Sequence, residues 1–251
     1  MKIKLNLDEK LRAGIFSQFM MMVGNITNSD IEEIYFDAMN NKIEKNPFDW
    51  VFDQYYNESF INLECQHYGV YTDNNSNGLG PIENSLNYNN YKYALSKIKF
   101  KKNILDFINN NTKDFNQNCL GVHIRLGDMN ILHPQYGNLK TDDYVNKIKN
   151  IFEKENFDRI FVASDNEKSL DVLQNEFNSQ LLFIPDMIRE ENDNFNSFRL
   201  QKEQLNNNIF WEEAFIECLL LSRCNQLLCR VSNLANATII FSNTITKIYR
   251  L

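Results

Sequence analysis

The sequence from Cys119 onward predicts an α/β fold built on a doubly wound parallel sheet. Three observations carry this. Short apolar runs alternate with longer amphipathic ones in near-regular order, the pattern of βαβ units. The runs are rich in Val, Ile, Leu and Phe, as strands buried on both faces require. Polar residues that are unusual in a core follow directly after several of these runs.

Taken in order, residues 1–7 alternate Lys with apolar side chains and suit a short strand or an extended lead-in. Residues 14–25, GIFSQFMMMVGN, open on Gly14. Ser17 can cap a helix whose body is 19–23, apolar nearly all round and hence buried. Gly14 and Phe16 are candidate ligand contacts here, since a Gly-led entry to a helix lets backbone approach a ligand closely; a plain core helix is the alternative. Residues 34–36 suit a strand, and 46–52 a turn followed by an aromatic cluster. Residues 71–91 are rich in Asn, Gly and Ser and predict a long loop. Helical spacing over 91–115, with Ile98, Ile104, Phe107 and Ile108 on one stripe, closes a first domain placed at 1–115.

The second domain, 116–251, begins with a strand over 119–125, CLGVHIR. Val122 and Ile124 share one face; Gly121, His123 and Arg125 share the other. A helix follows over 141–152, then a strand at 159–163 and a helix over 167–177. A strand at 181–184 is stopped by Pro185. After a polar loop come a helix over 209–223, a strand over 226–231 and a final helix to about 241.

The 251 residues allow one large or two modest domains, and a hydrophobic content of 43% is ample for a core. A net charge of −7 argues against a nucleic-acid binder, which needs surplus Lys and Arg for phosphate contacts. The five cysteines, Cys65, Cys119, Cys218, Cys224 and Cys229, are odd in number and form no CxxC pair, so they read as reduced and the compartment as cytoplasmic. No secretory signal and no bilayer-length apolar run is visible.

The polar outliers are not scattered. His123, Arg125 and Asp128 end the strand at 119–125; Ser164, Asp165 and Asn166 follow the next; Ser232 and Asn233 follow the last. In an open parallel sheet the carboxyl edge is where ligands bind. Arg125 offers a planar fork for two phosphate oxygens, and Ser232 with Asn233 opens a helix whose free N–H groups suit an anion. Glu217 is the acid inside an apolar helix stretch, placed to accept from the N–H edge of a guanine. Plainer roles stand beside these: a satisfied core histidine for His123, an Arg125–Asp128 ion pair, helix caps for Asp165 and Ser232, and a solvent-facing Glu217. The pattern points to a nucleotide diphosphate. No GxGxxG after a strand, GxxxxGK[ST], GxSxG, HExxH or DxD motif is present, so dinucleotide, P-loop, serine-hydrolase, zinc-protease and metal-bridged chemistries are not indicated.

At residues 123–128, HIRLGD resembles the first motif of GDP-fucose-dependent fucosyltransferases of the α1,6-fucosyltransferase, NodZ and protein O-fucosyltransferase group. GIFSQFMMMVG at 14–24, FVASDN at 161–166 and WEEAFIECLLLSRCNQLLCRVSN at 211–233 are similar to further motifs of that family. The resemblance implies a GT-B arrangement of two Rossmann-like halves, with the donor in the C-terminal half and a reduced acceptor side. It implies an inverting glycosyltransferase moving fucose from GDP-fucose to a glycan hydroxyl, with no cofactor and no metal. Arg125 would bind the β-phosphate; His123 and Glu217 would hold guanine; Asp165 and Asn166 would contact the nucleotide; Ser232 and Asn233 would hold phosphate. No clear general base follows the motif; Asp128 is the first candidate and His133 the second. Leu126 stands where the family carries a second Arg, and Asn166 where it carries a second acid. These departures keep two alternatives open: a transferase using another nucleotide sugar, and a catalytically degenerate glycan-binding protein of the same fold.

Overall fold

The computed structural model describes residues 1–7, 15–26, 30–38, 45–65, 81–113, 115, 118–126, 130, 138–189 and 207–251. They form two parallel sheets. The first has three strands, β1 (Lys2–Leu7), β2 (Glu33–Asp37) and β3 (Ile61–Cys65), in the order β2-β1-β3. The second has five: β4 (Cys119–Ile124), β5 (Arg159–Ser164), β6 (Leu181–Leu182), β7 (Gln226–Cys229) and β8 (Lys247–Arg250), in the order β6-β5-β4-β7-β8. All pairings are parallel. This is the α/β architecture of two Rossmann-like halves that the sequence predicts.

The helices are α1 (Ile15–Gly24), α2 (Phe48–Val51), α3 (Tyr88–Leu95), α4 (Lys102–Asn111), α5 (Thr141–Phe152), α6 (Glu167–Phe177), α7 (Asn208–Leu221) and α8 (Asn233–Phe241). The single helix expected over 91–115 is two: α3 caps at Ser96 and a short connection leads to α4 at Lys102. Phe100 is the reason for the break, since it bridges back to Phe52 and packs its ring 5.2 Å from that ring. The aromatic stretch at 46–52 forms the short α2, and the edge strands β3 and β8 had no place in the sequence reading.

In the five-stranded sheet the chain runs outward from β4 through β5 to β6, then returns to β7 and β8 on the other side. The strand order therefore reverses between β4 and β7. Leu120, Val122 and Ile124 join Tyr144, Val145 and Ile148 of α5 and Leu170 and Leu173 of α6 in one core. On the opposite face, α7 and α8 pack in a second core that also takes in Ile3, Leu5 and Phe36 of the small sheet. Phe19 of α1 is fully buried at its centre, with ring centroids 5.2 Å from Phe36, 5.5 Å from Phe215 and 5.6 Å from Phe241. A helix apolar nearly all round is what a junction between two sheets needs, because it must bury side chains on most sides.

Gly121 sets the packing of α7 on β4. A Cβ there would lie 3.1 Å from the Cβ and Sγ of Cys224 and 3.2 Å from Leu221 Cδ2. Only a residue without a side chain lets the end of this helix approach the central strand so closely.

Candidate functional site

The carboxyl ends of β4, β5 and β7 lie side by side, so the residues following each strand meet at the point where strand order reverses, the usual ligand position in such sheets. Arg125 follows β4 by one residue and Asp165 follows β5. Their side chains, 19% and 20% exposed, form an ion pair. Arg230 follows β7 and is fully buried. Its Nη1 donates to the Arg125 carbonyl at 3.3 Å and to Asn130 Oδ1 at 2.8 Å. Asn130 in turn donates to the Leu139 carbonyl at 2.8 Å and accepts from its N–H at 3.2 Å.

Arg230 escaped the sequence reading, which left Arg125 as the sole motif cation at this edge. The structure places a second guanidinium close to this edge, from the residue after β7 and not from position 126. Its signal was present, for Arg230 follows the apolar run Leu227-Leu228-Cys229 just as Arg125 follows Val122-His123-Ile124.

His123 is buried on the α8 side of β4, with Nδ1 3.3 Å from Ser232 Oγ. Burial, with the positive charges of Arg125 and Arg230 added, pushes its imidazole down to about 3, so the ring is neutral. Ser232 is the N-cap of α8 and accepts the Ala235 N–H at 3.1 Å. Asn233 donates from Nδ2 to Ser17 Oγ at 2.8 Å, joining the N-terminal turns of α8 and α1.

The helix cap after β5 is Asn166, not Asp165. Its Oδ1 accepts from Ser169 N at 2.8 Å and Ser169 Oγ at 3.0 Å, while Ser164 Oγ accepts its N–H at 3.1 Å. Asn166 is thus occupied with the start of α6, and Asp165 is left to meet Arg125. Phe16 packs its ring 4.8 Å from Phe215 and belongs to the shared core. Gly14, Asp128 and His133 lie outside the described residues.

Glu217 points inward. Its side chain is 14% exposed and pairs with Arg189 Nη2 at 3.3 Å. Burial, reinforced by the negative charges of Asp165 and Glu213 and opposed by Arg189, raises its carboxyl to about 8. Arg189 carried no signal in the sequence, since it sits in a polar stretch without periodicity. Among the described residues no group of three or more His, Cys, Asp or Glu is arranged to hold a metal ion.

A comparison with family models finds no match, and neither does one with curated proteins. Solved structures do match over nearly the whole chain. The fucosyltransferase NodZ from Bradyrhizobium is similar at a TM-score of 0.57 and 13% identity, covering 99% of this chain and 95% of that one. NodZ α-1,6-fucosyltransferase soaked with GDP-fucose aligns at a TM-score of 0.56 and 12% identity, covering 96% and 93%. POFUT1 in complex with GDP aligns at 0.55 and 9% identity, covering 99% and 98%. The chain has the fold of these GDP-fucose fucosyltransferase structures.

Proposed function

We propose that this protein is a glycosyltransferase that moves fucose from GDP-fucose to a glycan hydroxyl, with inversion and without a metal. The observation that carries the reading is the Arg125 guanidinium, oriented by Asp165, at the end of β4 where strand order reverses, with buried Arg230 bonded to the Arg125 carbonyl, in a chain folded like NodZ and POFUT1. In this reading the diphosphate lies across the edge between Arg125 and the N-terminus of α8. The Arg125 fork grips the β-phosphate oxygens, and buried Arg230 adds positive charge behind it. Such preorganised charge stabilises the diphosphate as it leaves the sugar. His123 and Glu217 line the base end, with Asp165 holding Arg125 in place.

Asp128, with His133 as second candidate, is the proposed general base for the acceptor hydroxyl. Where the bond to the diphosphate breaks early, leaving an oxocarbenium-like sugar, leaving-group stabilisation supplies most of the rate and the base contributes less. Residues 1–115 form the acceptor side in this proposal and 116–251 the donor side. A reducing, cytoplasmic setting fits the five free, buried cysteines, among them Cys119 and Cys224 with sulfurs 3.7 Å apart. No described helix is long and apolar enough to cross a membrane.

The direct test is calorimetric titration with GDP and with UDP in the presence of EDTA. GDP is expected to bind and UDP to bind much more weakly. Equal affinity for the two would move the donor to another nucleotide sugar, the reading that Leu126 at the second motif position favours. Donor hydrolysis without acceptor separates either transferase from an inactive binding protein.

A further inference from the structure

Two acids one helical turn apart on α7 reach the same short segment. Glu213 accepts the Ile188 N–H at 2.9 Å, and Glu217 pairs with Arg189 at 3.3 Å. Arg189 is bound down on its other side: Nη2 donates to the Ile184 carbonyl at 2.7 Å, and its guanidinium carbon stands 6.0 Å from the centroid of the Phe183 ring. Its side chain is only 4% exposed. Four ionisable groups therefore share one corner: Arg189 after β6, Glu213 and Glu217 on α7, and Asp165 after β5, itself paired with Arg125. Three carboxyls share this corner, and Arg189 is the guanidinium placed directly on Glu217.

We propose that Arg189 is a positioning residue for the base end of the nucleotide site, holding the Glu217 carboxyl where the N–H edge of a guanine reaches it, so that nucleotide binding releases one proton from Glu217. The inference rests on the donor reading above. A carboxyl crowded by two other acids and shielded from water holds its proton in the free protein, near pH 8. The paired N–H donors of a guanine favour the carboxylate, and with Arg189 they hold it as such while the proton passes to solvent. The sign follows: affinity for GDP rises with pH and levels off once the carboxyl is already ionised in the free protein.

The test is calorimetric titration of the full chain with GDP in buffers of different ionisation enthalpy. A carboxyl held up near 8 releases most of one proton on binding at about pH 7, and progressively less as the pH rises through that value. Affinity should fall by close to tenfold per pH unit below that range for as long as the complex keeps the carboxylate. Glu217→Gln, similar in shape, should bind GDP with no proton release. Arg189→Ala should move the pH dependence upward, and Arg189→Lys should bring it part of the way back, which a merely structural role would not do. GDP binding by the unaltered protein with heat independent of buffer overturns this inference and leaves the transferase reading in place. Arg189→Ala with an unchanged pH profile also overturns it. No GDP binding at any pH overturns the transferase reading and this inference with it.

Discussion

The Arg125 guanidinium and the Asp165 carboxylate are ion-paired across the carboxyl ends of the neighbouring strands β4 and β5. β4 and β5 pair with His123 opposite Ala163 and Ile124 opposite Ser164, so Arg125 and Asp165 each come one residue after the last paired position. The shared register thus delivers the two charges to the same edge. An incoming diphosphate meets a cation that a carboxylate has already oriented, and the cost of ordering the Arg125 side chain is met in the fold.

Arg125→Ala is expected to lower kcat/KM by at least about 100-fold, since a charge-assisted hydrogen bond to a developing charge contributes about 3 kcal/mol. Asp165→Asn keeps the cation and loses its orientation, so a smaller loss of about tenfold is expected. Steady-state kinetics on purified variants decide this. Unchanged kinetics in Arg125→Ala would remove the central claim.

His123 carries a stability prediction with a definite sign. Its imidazole is neutral when folded, held down to about 3, and ordinary when unfolded, so below about pH 6.5 the unfolded chain binds the extra proton. Stability from this group is present above that pH and is lost on acidification, by up to about 1.4 kcal/mol per pH unit. Glu217, with its raised carboxyl, contributes an opposite slope between its unfolded range and about pH 8. Urea denaturation of the unaltered protein and His123→Asn at several pH values isolates the histidine, and the variant should show the flatter profile between about pH 6.5 and 5. An imidazole resonance that titrates near its ordinary value would contradict the burial argument.

Gly121→Ala places a methyl group 3.1 Å from Cys224 and 3.2 Å from Leu221. Neither neighbour is a flexible surface group, since Leu221 and Cys224 are both fully buried. A loss of about 1–3 kcal/mol in chemical denaturation is expected from such overpacking. Adding Cys224→Ala should return part of it by vacating the sulfur's space. Independent, additive losses in the double variant would refute the clash.

Much of the larger sheet was legible because its evidence is local. Apolar runs of strand length, amphipathic helices and caps such as Ser232 are all written within a few residues. The α5 and α6 boundaries match the expected helices, and β4 and β5 extend only as far as their polar ends allow. The short edge strands β3 and β8 were not legible, because an edge strand buries too little to show a pattern; Ile61 and Leu63 are both exposed. The break between α3 and α4 was hidden for a different reason. Phe100 is drawn out of the helical path by the Phe52 ring, a contact between residues far apart in the chain.

By itself the sequence determined which residues stand at the strand ends: Arg125, Asp165 and the Ser232 cap are each placed by their own local run. Tertiary structure alone decided which of them meet. It paired Asp165 with Arg125 and gave the α6 cap to Asn166. It put Arg230 behind Arg125, and it turned Glu217 inward onto Arg189. Charge pairing depends on strand order, register and burial, and these are set by packing between segments that can lie 105 residues apart, which no local pattern encodes.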